Sequence, residues 1–435
     1  MSYGYQYGLI DTVAFLVLFP LCYIVYRSVF KENSSKKYFQ LNFFYHLFFA
    51  LAYTIIHIEI FGGGDTLAYF KTIKAINNIV FVSIPDFFEQ IFSGNQVYNF
   101  SGRSSPPPSW IFREDESFFV CQVLVLPSLL SFNSLIGFSV IMAFLTSVLT
   151  WSFYLFVSNR YEELKPILGF GLLFIPSVTF WCSALSKDTL VYLILIILVI
   201  LSFNLLEKVR FSRLVLLMFF SWLLLNIRSV VFYSFLASIS FVLVLRLLNR
   251  LSLSPALKVF LKFTLLLVVL SITVNSVDFS QSEDEFLKSN IYLNQAAVTQ
   301  QDFLRNSSYG QNKYSLGDFS FTPIGLLLIF PKAFFYGVFS PFIWQSFSAT
   351  LIFNGLEGTV FIFLFGRFIF KGVRSMFRQV LKDELLLFSI VFVLSLGFVT
   401  GLTSVLFGVL VRLRAPLLPF LILLLVTPKL LDSKS

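Results

Sequence analysis

Residues 189–206 read Thr189-Leu190-Val191-Tyr192-Leu193-Ile194-Leu195-Ile196-Ile197-Leu198-Val199-Ile200-Leu201-Ser202-Phe203-Asn204-Leu205-Leu206. The run holds no Asp, Glu, Lys, Arg or His and no alternation of apolar with polar residues. Wound as a helix it is apolar all round, which suits lipid or a large interior and leaves no face for water. A helix needs about 20 mostly apolar residues to cross the hydrocarbon core of a bilayer, and this run is of that order. Lys208, Arg210 and Arg213 follow it, and Ser186-Lys187-Asp188 precede it.

The same reading extends along the chain. Candidate spans fall at about 8–28, 39–60, 133–157, 166–184, 189–206, 211–227, 229–248, 256–276, 349–370, 385–403 and 409–427. Two further apolar stretches are ambiguous. One, 117–131, carries Pro127 in mid-run; the other, 323–345, carries Pro331, Lys332 and Pro341. Either suits a re-entrant or interfacial segment, a form tolerated where protein or water covers the backbone. The sequence therefore predicts an all-α, polytopic membrane protein of 11 to 13 spans, organised as a single membrane domain over 1–435. Composition agrees: 57% of residues are hydrophobic and 13% charged, against about 45–50% and 25% in soluble domains. The run from Leu9 to Tyr26 lacks a basic leader and a small-residue cleavage site, so it reads as a retained span.

Lys and Arg set the orientation. The loops holding Arg27, Lys31, Lys36 and Lys37, then Arg160 and Lys165, then Lys208, Arg210 and Arg213 alternate with loops poor in cations. With Arg246, Arg250, Lys258, Lys262, the 367–382 cluster, Lys429 and Lys434, one side collects 20 of the 32 basic residues. The positive-inside rule then places the N-terminus outside and the C-terminus in the cytoplasm. The net charge of +9 points to anionic lipid or an anionic substrate. Nucleic acid is excluded as a partner because the basic residues are scattered between spans and form no patch.

Other chemistries leave no trace. Cys22, Cys121 and Cys182 lie in apolar surroundings without ligand spacing, which argues against a disulfide framework and a zinc site. There is no Walker motif, HExxH helix or CxxC pair. Nor is there an internal repeat of the kind found in inverted-repeat transporters.

Two long outer loops result, about 61–132 and 277–322. The first opens with Gly62-Gly63-Gly64-Asp65-Thr66-Leu67-Ala68-Tyr69-Phe70, holds an amphipathic piece near Ile84–Phe92 and a Pro106–Pro108 run, and closes on Glu114-Asp115-Glu116. Glycine allows positive φ and close approach of a ligand to the main chain. A carboxylate next to a span is a functional candidate; the alternative is a flexible loop with a solvated Asp65. The second loop is rich in Asn, Gln and Ser, which suits a mobile lid or a sugar-contacting loop.

Further charges reach the same expected outer face. Lys187 and Asp188 lie between the fourth and fifth spans, Arg228 between the sixth and seventh, and Arg412 and Arg414 near the end; Lys332 and Glu357 interrupt apolar runs on that side. An Arg at the centre of a span costs roughly 2.5–3.5 kcal/mol to insert. Each cation alone could snorkel to headgroups; several on one face suit an anion. Guanidinium forks bind phosphate oxygens in bidentate fashion and stabilise charge that develops as a glycosyl bond breaks. A carboxylate can take the proton of an attacking hydroxyl. Arg228, Arg412, Arg414 and Lys187 are thus the candidate pyrophosphate ligands and Asp65 the candidate base. His57, one turn before Phe61, is a second candidate as base or as orienter of Asp65, although a packed His is the commoner outcome. Asp188, Tyr69, Lys332 and Glu357 are supporting candidates.

The pattern Gly64-Asp65-Thr66-x-x-Tyr69-Phe70 resembles the first outer loop of exopolysaccharide and O-antigen repeat-unit polymerases (the Wzy and EpsG-like groups). The segments Pro176-Ser177-Val178-Thr179-Phe180-Trp181 with Ser186-Lys187-Asp188-Thr189, and Ser340-Pro341-Phe342-Ile343-Trp344 followed by Glu357, are similar to membrane proteins of that broad glycosyltransferase type. So is Phe407-Gly408 with Arg412-Leu413-Arg414-Ala415-Pro416 and Pro419-Phe420. The resemblance implies a multi-helix bundle in the bacterial inner membrane with a periplasmic active site. Its substrate would be a polyprenyl-pyrophosphate-linked glycan, and a chain-length regulator or a flippase would be its natural partner. No acceptor-loop motif of such enzymes is recognisable in 277–322. A ligase, or a GT-C-type transferase using a polyprenyl-monophosphate sugar, stays open, as does a lipid-glycan flippase. No cofactor is implied for a polymerase; a divalent metal would suit the monophosphate-dependent alternative.

Overall fold

The structure is a computed structural model that describes residues 5–30, 36–92, 108–250, 291–305, 312–346, 349–380 and 383–426. Every regular element among them is helical, and the only strand-like pairing there is an isolated bridge between Lys313 and Leu406. Among the described residues, eight helical segments are long and apolar enough to cross a membrane, the last running from Phe407 to Val426 through a 3-10 turn at Ala415–Leu417. They coincide with the predicted spans near 8–28, 39–60, 133–157, 189–206, 229–248, 349–370, 385–403 and 409–427. The chain is an all-α polytopic membrane protein.

Two expected full spans, 166–184 and 211–227, are shorter in the structure, and the two stretches left ambiguous take their form there. The expected span 166–184 is two short helices, Lys165–Leu173 and Pro176–Trp181. Pro176 is the cause. The ring of a proline disfavours helical geometry in the residue before it, and Ile175 is extended at φ −81°, ψ 111°. The stretch 117–131 becomes a helix of only 15 residues, Asp115–Leu129. The 323–345 stretch stops at Phe339 and continues as an irregular turn, while Phe211–Ile227 is also short of full span length. The predicted span 256–276 lies outside the described residues.

Two compact units divide the chain, Met1–Ser229 and Val230–Ser435. The described helices of the first are α1 (Leu9–Val29), α2 (Lys36–Glu59), α3 (Gly64–Ile79), α4 (Ile84–Phe92), α5 (Asp115–Leu129), α6 (Leu135–Arg160), α7 (Lys165–Leu173), α8 (Pro176–Trp181), α9 (Lys187–Glu207) and α10 (Phe211–Ile227). Helix α6 is its centre, packed against α1, α2, α7 and α9. Between apolar helices in lipid, close packing and interhelical hydrogen bonds replace the hydrophobic drive available in water. Buried polar side chains here make such bonds. Asn42 Nδ2 donates to Tyr26 Oη at 3.0 Å and to the Ser147 carbonyl at 2.9 Å. Thr54 and Ser139 share a hydroxyl bond at 2.7 Å, and His46 Nδ1 meets Ser183 Oγ at 2.7 Å.

The described parts of the first long loop are therefore mostly helix. The segment after Gly64 is not a free loop but α3, whose residues Thr66–Phe70 are buried, and α5 packs along it.

The second unit holds α11 (Ser229–Arg250, from its second residue on), α12 (Ile291–Arg305), α13 (Pro323–Phe339), α14 (Ala349–Val380), α15 (Glu384–Thr403), α16 (Phe407–Arg414) and α17 (Leu418–Val426). Its main contact is α13 on α15. Ala333 and Gly337 on one helix face Gly397 and Gly401 on the other, a small-xxx-small pair. A Cβ at Gly337 would stand 1.9 Å from the Gly397 carbonyl oxygen, and one at Gly401 would stand 1.8 Å from that of Ala333. The backbones touch. The expected lid 277–322 is anchored where it is described. Gln300 of α12 donates to the Leu402 carbonyl at 3.1 Å, Tyr314 N–H donates to the Val405 carbonyl at 2.9 Å, and Tyr314 Oη donates to the Gly401 carbonyl at 2.7 Å.

Candidate functional site

In the first unit the site begins at the glycine run. Gly62, Gly63 and Gly64 all take positive φ, at 64°, 98° and 46°, a region that costs a residue with a side chain and not glycine. The turn lets Gly63 N–H donate to the His57 carbonyl at 2.6 Å and start α3 within a few residues of the end of α2. Asp65 thus stands in the first turn of α3, exposed. A carboxylate there is favoured by the helix dipole.

Tyr69 follows one turn later, 4% exposed, with Ser117 of α5 in hydrogen-bonding reach of its hydroxyl. Burial pushes the phenol pKa well above its ordinary value, and the nearby charges of Asp65 and Asp188 push the same way. Around this buried hydroxyl the ends of four helices meet. Ser186 caps α9, accepting from Thr189 N–H at 3.0 Å, and so sets Lys187 and Asp188 in its first turn. Lys187 is ion-paired with Glu116 of α5. Asp188, with no exposed side-chain surface, receives Arg228 Nη1 at 2.6 Å. Arg228 is the residue after α10, its own N–H donating to the Leu224 carbonyl at 2.8 Å. The predicted residues Asp65, Tyr69, Lys187, Asp188 and Arg228 are therefore one neighbourhood.

Its charge differs from the expectation. Lys187 and Arg228 each spend their charge on a carboxylate of this unit, Glu116 and Asp188. A balanced cluster attracts a polyanion far less than free cations would. Glu116 was visible in the sequence as part of an acidic cluster, but its partner lies 71 residues away, beyond any local signal. Ser117, Lys71 and Trp110 carried no signal at all.

His57 takes the packed form. Its ring stacks on Tyr53 with centroids 3.7 Å apart, and Phe61, Phe180 and Trp181 surround it. Nδ1 lies 2.9 Å from the Tyr53 carbonyl, a contact that requires the proton on that nitrogen. Tyr53 in turn ties α2 to α3 through a 3.2 Å contact with the Thr66 hydroxyl. His57 supports the start of α3 from beneath.

Beside Asp65 opens a cleft of about 240 Å³, lined by Leu67, Ala68, Lys71, Pro108 and Trp110 as well. Trp110 is half-buried and its ring lies 6.4 Å from that of Tyr69.

The other candidates belong to the second unit. Arg414 has no exposed surface. One guanidinium nitrogen, Nη1, donates to the carbonyls of Ser340 and Val338, the latter at 3.3 Å, and so holds the end of α13. Glu357 of α14 lies 4.0 Å from Nη2. Among the described residues, Nε and Nη2 find no hydrogen-bond partner, nor does the buried Ser340 Oγ. Arg412, two residues earlier on α16, is half-buried. Lys332 Nζ donates to the Leu316 carbonyl at 2.5 Å, pinning the 312–316 segment to α13. No group of three or more His, Cys, Asp or Glu side chains suited to a metal occurs among the described residues. Compared with family models, curated proteins and solved structures, the chain finds no match in any of the three.

Proposed function

We propose that this protein is a glycosyltransferase of the bacterial inner membrane that polymerises lipid-linked oligosaccharide repeat units at the periplasmic face. The observation that carries the reading is the gathering of Asp65, Tyr69, Glu116, Lys187, Asp188 and Arg228 at one end of four helices. Charges next to spans are expensive, and a purely structural cluster would have no need of an exposed Asp65 on a glycine-built turn. The short segments similar to repeat-unit polymerases include most of these residues and favour the same reading.

In this mechanism Asp65 accepts the proton of an acceptor sugar hydroxyl as its oxygen attacks the anomeric carbon of the donor glycan. The bond from that carbon to the pyrophosphate oxygen breaks, and polyprenyl pyrophosphate leaves with the electron pair. Arg228, held by Asp188 in the same unit, is the cation assigned to the leaving group. Lys187 and Arg228 hold the base side of the site in shape through Glu116 and Asp188.

A deletion strain complemented with wild type or Asp65→Asn tests this through the length of the lipid-linked glycan. The deletion is expected to leave a single repeat unit, and Asp65→Asn to fall at least about 100-fold short of wild-type polymer, the usual contribution of a general base. A glycan that lacks one sugar but is still polymerised would make the protein a single-addition transferase. Full complementation by Asp65→Asn at normal protein levels would remove the assigned base.

A further inference from the structure

We propose that the cleft beside Asp65 is a saccharide subsite that seats one pyranose ring on the indole of Trp110. The inference rests on the glycosyl-transfer reading only for its role, as the acceptor end of that site; the binding chemistry is argued from the cleft alone.

Its size comes first. At about 240 Å³ the cleft is below the roughly 300–1,000 Å³ of pockets that enclose drug-sized ligands, so it takes one ring and not a chain or a lipid tail. Its walls are amphipathic in the same sense as a sugar. Leu67, Ala68, Pro108 and Trp110 give it apolar lining, and Asp65 and Lys71 give it charged lining. A pyranose presents a face of C–H groups and a rim of hydroxyls. The C–H face suits the negative face of an indole; a carboxylate accepts from two neighbouring hydroxyls, and an ammonium donates to a third. A phosphate would meet the like charge of Asp65, a juxtaposition that disfavours binding.

The presentation of Trp110 supports the assignment. Its chain neighbours Ile111 and Phe112 are buried, at 0% and 8% exposure, whereas Trp110 is half-buried and lines the cleft. It is held there by the turn in which Ile111 N–H donates to the Pro108 carbonyl at 3.3 Å, and by the adjacent Tyr69 ring. The neutral balance of the ion-pair cluster behind Tyr69 fits an uncharged polyhydroxyl ligand better than a polyanion.

The test is saturation-transfer NMR on the full chain in phosphatidylcholine nanodiscs, with methyl glycosides of glucose, galactose and N-acetylglucosamine as probes and inorganic pyrophosphate as control. Transfer to the ring C–H protons of at least one glycoside is expected. It should fall at least fivefold in Trp110→Ala and be largely kept in Trp110→Phe, which retains an aromatic face and reports whether the fold survives. No transfer to any glycoside, or transfer unchanged in Trp110→Ala, overturns the subsite. The measurement needs no turnover, so the two readings separate. Sugar binding with full polymerisation by Asp65→Asn would keep the subsite and sink the transfer mechanism. No sugar binding with polymerisation lost in Asp65→Asn would do the reverse.

Discussion

Asp188→Ala, with Arg228 left in place, is expected to destabilise the first unit by about 3–5 kcal/mol, the usual effect of stranding one member of a buried ion pair. Asp188 has no exposed side-chain surface and Arg228 keeps only 16%, with 2.6 Å between them. Removing the carboxylate leaves a mostly buried guanidinium at the start of α9 without the anion that balances it. Thermal unfolding in detergent would register a large drop in midpoint, and Arg228→Ala should cost a comparable amount. The double variant Asp188→Leu/Arg228→Leu should recover most of the loss, because replacing both partners with apolar residues is often neutral. That variant also separates the two roles given to Arg228. Under the proposed function, an arginine that serves only to balance Asp188 gives a double variant that is stable and still polymerises glycan. If it also grips the leaving pyrophosphate, the protein will be stable and inactive.

Gly401→Val is expected to be the most damaging single change in the second unit. A Cβ at position 401 would stand 1.8 Å from the Ala333 carbonyl oxygen and 2.8 Å from Gly337 N. Both are backbone atoms, so no rotamer change relieves the clash and α13 must move off α15. Overpacking costs typically 1–3 kcal/mol and occasionally more; with main chain as the obstacle, a loss of at least about 3 kcal/mol is expected. Folded yield from a fluorescent C-terminal fusion and the unfolding midpoint would both report it. Gly366→Ala on α14 is the control. A Cβ there meets nothing within 4 Å, and alanine should stabilise the helix by up to about 1 kcal/mol. If Gly401→Val unfolds at the wild-type temperature, the α13–α15 crossing is not the close contact described.

Arg414 shows how one residue type can serve opposite ends. From the sequence it is a cation beside a span and so a phosphate ligand. In the fold it is wholly buried and fastens the end of α13 through the carbonyls of Val338 and Ser340. Only its remaining donors are left for a ligand. Lys187 and Arg228 repeat the lesson, each engaged by a carboxylate that no local pattern connects to it.

Span positions were legible because hydrophobicity is a property of some 20 consecutive residues, and the eight long helices fall where the apolar blocks do. The sidedness of charges was partly legible for the same reason. Asp188 and Arg228, expected on one face, are ion-paired, and Arg246 and Glu384, expected together on the other, lie 3.6 Å apart. The break at Pro176 was legible in principle, since a proline restricts the residue before it, yet the apolar run around it concealed the interruption. What only the tertiary structure decided is who meets whom. Glu116 with Lys187, Trp110 beside Asp65, the helical character of the segment after Gly64 and the glycine-to-backbone contact of α13 with α15 all depend on which helix ends and faces come together. Apolar blocks tell each helix that it belongs in lipid. They do not encode its neighbours, which are selected by side-chain shape and by a few polar pairs spread across the chain.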